Sequence, residues 1–130
     1  MKTITVFGSS RPAPGSDGYE TARRLGAALA DAGFIVASGG YGGAMEGVSR
    51  GAREAGGKTI GVTAAVFRSP ANAWVGEEIR VATWQERLLK LVELGAGYVA
   101  LPGGTGTLVE LAVAWEWINK GFLEPRPVVV

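Results

Sequence analysis

Cysteine and histidine are both absent from this 130-residue sequence. Without thiols there are no disulfides and no thiolate metal sites, and without imidazole the commonest zinc ligand and general base are missing. A histidine-dependent metal hydrolase and a Ser-His-Asp enzyme are therefore excluded within the chain, and neither a metal nor another cofactor is expected. An excess of one charge is lacking too: 13 Lys and Arg face 12 Asp and Glu, dispersed along the chain, for a net charge of +1. A basic stripe for nucleic acid is not present, so a small-molecule partner is expected. No apolar run reaches the about 18 residues that cross a bilayer, and no signal-peptide core follows Met1-Lys2. The expected setting is the cytoplasm, away from membranes.

Hydrophobic residues make up 47% of the chain, enough for a core in one domain spanning 1–130. Glycine is over-represented, with 21 residues gathered in runs that signal tight turns or close backbone approaches. Thr3 to Phe7 is a β-branched run ending at Gly8-Ser9-Ser10 and reads as a buried strand. From Tyr19 to Ala32, Ala22, Leu25, Leu29 and Ala32 recur at helical spacing, with Gly33 as the stop. Phe34 to Ala37 reads as a strand, 44–55 as a helix and Thr59 to Thr63 as a strand. Residues 64–76 show no period and read as a long loop. Ile79 to Ala82 reads as a short strand, and Thr83 caps a helix ended by Gly95. A strand at Tyr98 to Leu101, a helix reaching Lys120 and a strand at Pro127 to Val130 complete the chain. Strands alternating with helices predict an α/β fold, a doubly wound parallel sheet with helices on both faces in three layers. Because Val128-Val129-Val130 ends the sequence within an apolar strand, a further helix is expected beyond it.

Two segments follow a strand, turn on glycines and open a helix: Gly39 to Gly43 and Gly103 to Thr107. Such a turn aims backbone N–H groups and the positive end of a helix dipole at one spot, which suits phosphate. The candidate contacts are Ser10, Gly40, Gly43, Gly103, Gly104, Thr105, Gly106 and Thr107. Neither loop carries the lysine of a Walker A sequence, and neither is a dinucleotide fingerprint on the first strand. A monophosphate, held by N–H groups and an arginine, fits better than a triphosphate. The alternative for the first loop is a tight connection serving packing. Ser9 and Ser10 either bond phosphate or cap the next turn. Glu110 stands just inside the helix that follows the second loop. It projects toward the same mouth and there either acts on a ligand or complements the helix dipole, worth ~0.5 kcal/mol.

Gly39-Gly-Tyr-Gly-Gly-Ala-Met45 and Pro102-Gly-Gly-Thr-Gly-Thr-Leu-Val-Glu110 resemble the GGxxGxM and PGGxGTxxE motifs of the LOG (lonely guy) family, phosphoribohydrolases formerly labelled lysine decarboxylases. The resemblance covers nearly the whole chain, from Phe7-Gly-Ser-Ser10 through both loops. It implies a Rossmann-like homodimer that hydrolyses the N-glycosidic bond of AMP or N6-substituted AMP, such as cytokinin nucleotides, releasing base and ribose 5-phosphate. It also implies the catalytic pair Arg87 and Glu110. Without the resemblance, Arg87 reads equally as a helix charge paired with Glu86 or Glu93. The chain departs from the family pattern at Leu88, where lysine is frequent, and near Ala73, where an acidic residue is frequent. Lysine decarboxylation is rejected, since no setting for a pyridoxal phosphate Schiff base is visible. A second expectation is a non-catalytic carrier, because Gly-Gly-Tyr-Gly-Gly-Ala-Met-Glu46 also resembles a carrier of molybdenum cofactor; a sensor is a third. Met45 reads as packing, and Trp115 and Trp117 as core or dimer-interface aromatics.

Overall fold

The computed structural model describes all of residues 1–130. In chain order the elements are β1 (Thr3–Phe7), α1 (Asp17–Asp31), β2 (Ile35–Ser38), α2 (Ala44–Glu54), β3 (Thr59–Ala64), β4 (Glu77–Val81), α3 (Trp84–Leu94), β5 (Gly97–Ala100), α4 (Thr105–Asn119) and β6 (Val128–Val129). The strands form one sheet in the order β4-β3-β2-β1-β5-β6, and every pair is parallel. The expected α/β Rossmann-like architecture is what forms.

Both faces of this sheet are covered, which is why its central strands read as continuous apolar runs rather than alternating ones. Successive residues of a strand enter opposite layers. Val6 joins Ala22, Val36, Ala44, Val48 and Ala52 beneath α1 and α2. Its neighbour Phe7 joins Val62, Leu88, Leu91, Val92, Tyr98 and Ala114 beneath α3 and α4. Leu88, the departure from the family pattern, is thus part of the core.

Helix starts follow their caps. Ser16 Oγ accepts from the Tyr19 amide at 3.4 Å, so α1 begins two residues before the apolar stripe that predicts it. Thr83 Oγ1 caps α3, accepting from the Glu86 amide and donating to the Glu86 carboxylate, both at 3.1 Å.

Two strands differ from expectation. β4 begins at Glu77 because Glu77 and Glu78 pair with Ile60 and Gly61; an edge strand tolerates charges that do not look strand-like. β6 is confined to two residues, Pro127 contributing only its carbonyl, which accepts from the Tyr98 amide at 3.0 Å. Within 64–76, Ala64 completes β3 and residues 65–67 form a 3-10 turn. Asn72 ties this segment to the first glycine loop: its amide donates to the Gly40 carbonyl and its Nδ2 to the Tyr41 carbonyl, both at 2.8 Å. No helix is long and apolar enough to cross a membrane.

The chain runs outward from β1 to β4 and then returns to place β5 on the other side of β1. Beyond the carboxyl ends of β1 and β5 the connecting loops diverge, and in open parallel sheets that crevice is where ligands bind.

Candidate active site

A cavity of about 610 Å³ opens at this crevice. The turn after β1 supplies Gly8, Ser9, Ser10 and Arg11, and the turn after β5 supplies Gly103, Gly104, Thr105, Gly106 and Thr107, with Glu110 beyond. Trp84 and Arg87 reach it from α3, and Met45 from α2.

One wall is the start of α4. Its N-cap is Gly104, which offers no side chain, and the first loop-to-helix bond is from the Leu108 amide to the Gly104 carbonyl at 3.1 Å. The amides of Thr105, Gly106 and Thr107 therefore have no partner within the protein and face an open mouth. Three free N–H groups stand at the positive end of a 15-residue helix, an arrangement with the chemistry to receive an anion. Thr107 is buried, and its side chain lies against Gly103, where a Cβ would overlap Thr107 Oγ1.

Arg87 is buried at 8% exposure, which settles that it is not a solvated helix charge. Its Nε donates to the Val62 carbonyl at 2.8 Å and its Nη2 to the Gly39 carbonyl at 3.0 Å. The guanidinium lies over the rings of Tyr41 and Phe67, with Cζ 5.1 and 5.5 Å from their centroids, and Nη2 contacts Met45 Sδ at 3.5 Å. Nη1 is left without a bond to the protein, on a residue that lines the cavity. Burial lowers the Arg87 pKa and the charge of Glu110 raises it; an arginine so placed stays charged.

Glu110 is half-buried and has neither a hydrogen bond nor an ion pair in direct contact. Removal from water pushes its pKa up to about 7, with the Arg87 charge acting in the opposite direction. Near neutral pH it is therefore divided between carboxylate and carboxylic acid, the condition a general acid or base needs.

The cavity brings together Ser10, all five residues from Gly103 to Thr107, Arg87 and Glu110. Gly40 and Gly43 are not on it. The Gly40 amide donates to Ser38 Oγ at 3.2 Å. Gly43, at φ 65°, packs so closely on Ser9 and Ser10 that a Cβ would overlap their backbone, and the first amide of α2, that of Ala44, is taken by the Ser9 carbonyl at 2.8 Å. The physical reason is position: β2 lies one strand away from the crevice, so its loop backs the site instead of facing it. Ser9 Oγ accepts from the Arg11 amide at 3.0 Å, a turn cap, and Glu46 accepts from the Tyr19 hydroxyl at 2.6 Å. Trp117 packs on the core, whereas Trp115 is exposed. Sequence reading missed Arg11 and Trp84 as lining residues. The signals were there: Arg11 follows directly on the Ser9-Ser10 turn, and Trp84 stands three residues before Arg87, on the same helix face.

A family model described as the SLOG cluster4 family matches residues 1–120. The chain belongs to the SLOG cluster4 family. Among its relatives, the cytokinin riboside 5'-monophosphate phosphoribohydrolase of Mycobacterium tuberculosis is 35% identical over 133 residues, covering 98% of this chain and 69% of the relative. The enzyme of the same name from Rhodococcoides fascians is 32% identical, covering 99% of this chain and 67% of its own length. A similar solved structure is that of the molybdenum cofactor binding protein of Rippkaea orientalis, with a TM-score of 0.82 and 29% identity, covering 98% of this chain and 74% of that one. The chain spans 64% of the length of the Mycobacterium marinum phosphoribohydrolase.

Proposed function

We propose that this SLOG cluster4 chain hydrolyses the N-glycosidic bond of a nucleoside 5'-monophosphate, AMP or N6-substituted AMP, to free base and ribose 5-phosphate. The carrying observation is that one cavity holds three unpartnered amides at a helix N-terminus, a fixed arginine and a carboxyl without a partner. The names of the curated relatives support the same reading. The amides of Thr105, Gly106 and Thr107 take the 5'-phosphate. As the bond from the ribose anomeric carbon to the base nitrogen lengthens, positive charge gathers on the sugar, and the Glu110 carboxylate stabilises it. Glu110 also orients the incoming water, whose oxygen bonds to the anomeric carbon as its proton passes to the carboxylate; the departing base takes a proton from solvent, and Glu110 returns its proton to solvent. Arg87, with two of its nitrogens held by main-chain carbonyls, is a positioned cation that favours the ionised form of Glu110 and offers Nη1 to the substrate.

The same proposal extends to a cytoplasmic homodimer. Leu108 and Trp115 on α4 are 60% and 59% exposed, an apolar face that a second copy would cover. A second reading, a carrier that binds without turnover, is favoured by the structural likeness to the Rippkaea orientalis protein.

The test is incubation of the protein with AMP and with isopentenyl-AMP, following free base and ribose 5-phosphate by chromatography beside a Glu110→Gln control. Base release that disappears in the control supports the hydrolase. Binding of AMP without release from either substrate overturns it in favour of the carrier.

A further inference from the structure

The cavity is unusual in one respect: of its 13 lining residues only Met45 and Trp84 are apolar. Met45 is almost fully buried, its sulfur engaged with Arg87. Trp84 is different. It is the first residue of α3, and the cap that starts the helix uses Thr83 and Glu86. The indole takes no part in either core cluster and stays 41% exposed. Standing one helical turn before Arg87, it belongs to the same face of α3, and it lines the cavity together with the free amides of α4. The site thus combines the free amides at the start of α4, a carboxyl, a cation and a single flat aromatic surface. A ligand with one phosphate and one planar ring would satisfy all three.

We propose that Trp84 is the base platform of this site and that the site reads the purine ring rather than a tail on N6. This rests on the nucleotide reading given under "Proposed function" and names the residue that supplies the site's affinity for the base ring. Every nucleobase has a π-face, so an indole supplies affinity without reading hydrogen-bond edges. An isoprenoid tail gains affinity only where apolar walls remove it from water. With the indole covered by the base and Met45 held by Arg87, the other lining residues are glycines, hydroxyl-bearing residues, arginines and Glu110. A tail would therefore stay in solvent and add little.

The experiment measures binding of AMP, isopentenyl-AMP and ribose 5-phosphate to the full chain, in wild type, Trp84→Ala and Trp84→Phe, with thermal melting to show that each variant is folded. In Trp84→Ala the AMP affinity is expected to fall about tenfold or more, as for loss of one stacked base. Ribose 5-phosphate affinity should stay unchanged, Trp84→Phe should restore most of the AMP binding, and wild type should hold AMP and isopentenyl-AMP within about tenfold of each other. Equal loss of AMP and ribose 5-phosphate in Trp84→Ala, or no loss of AMP, overturns the platform while leaving the nucleotide site standing. Isopentenyl-AMP bound far more tightly than AMP overturns the ring-over-tail selectivity. Wild type that binds none of the three overturns both the nucleotide reading and this one.

Discussion

Gly39 and Arg87 share one piece of space: a Cβ on Gly39 would overlap Nη2 of Arg87, which donates to the Gly39 carbonyl at 3.0 Å. The same Cβ would stand 2.6 Å from Met45 Sδ. The first glycine loop is therefore a socket for the arginine. Gly39 gives it room and a carbonyl, Tyr41 a ring face and Met45 a sulfur contact, while the tyrosine hydroxyl is pinned to the backbone of Ala64. The loop supports the site by holding Arg87.

Gly39→Ala is accordingly expected to act at a distance from the ligand. Forcing a methyl into this packing should cost about 1–3 kcal/mol of stability, read by urea unfolding. The displaced guanidinium should lower the proposed base release by about tenfold or more, since misplacing a group by a fraction of an ångström disturbs the aligned arrangement. Full activity with full stability in this variant would show that Arg87 tolerates movement.

Arg87→Lys should fail as a conservative change. A lysine has one nitrogen where the guanidinium uses Nε and Nη2 for two separate carbonyls, those of Val62 and Gly39. At least one buried carbonyl loses its donor, costing about 1–3 kcal/mol. Urea unfolding of the lysine variant beside Arg87→Ala would check this, the two variants being expected to lie closer to one another than either lies to wild type.

Much of this arrangement is legible in the residues, and what is not has physical causes. The helical spacing of Leu25 and Leu29 and the β-branched run Thr3 to Phe7 announce their elements because packing requires those patterns. The second glycine loop announces the free amides at the start of α4 because Gly103 to Thr107 joins a strand directly to a helix. Strand order is another matter. That β5, and not β2, completes the crevice with β1 depends on how the chain returns across the sheet, and no local residue pattern encodes it. Gly40 and Gly43 therefore look equivalent to Gly103 and Gly104 in sequence yet stand behind the site. Glu78 was unreadable as strand for a related reason: its carboxylate is held by Thr63 Oγ1 at 2.5 Å, a partner 15 residues away.

Glu110 ties activity and stability to pH in opposite senses. Its pKa in the fold, about 7, lies above the ordinary 4.5, so the folded chain holds this proton more tightly than the unfolded chain. The resulting stability is fully present below about pH 4.5 and is lost as pH rises through about 7, a change of up to about 3 kcal/mol. The carboxylate needed for the proposed reaction forms over the same upper range, so the rate should climb through pH 7 while stability declines. Glu110→Gln should remove both dependences, lowering the rate about 100- to 10,000-fold and flattening this part of the stability profile. Thermal melting and base release across pH 5 to 9 would measure the two together, and a rate limb that survives in Glu110→Gln would assign the titration to another group.

Adjacent glycines of the second loop should respond unequally to alanine. At Gly103 the added Cβ would overlap Thr107 Oγ1 and stand 2.8 Å from Thr107 Cβ. Relief requires either Thr107, 8% exposed, to leave its place or the start of α4 to shift, and both disturb the free amides proposed to hold the phosphate. Gly104 has nothing within 4 Å of the same atom and an extended φ of -94° that any residue can adopt. Gly104→Ala should therefore keep its stability within about 1 kcal/mol, the cost of alanine at a helix N-cap, whereas Gly103→Ala should lose more than that and also weaken binding of ribose 5-phosphate. Titration with ribose 5-phosphate and melting curves of the two variants separate these outcomes. Equal tolerance at both positions would mean that Thr107 yields freely and that the start of α4 is less rigid than its burial implies.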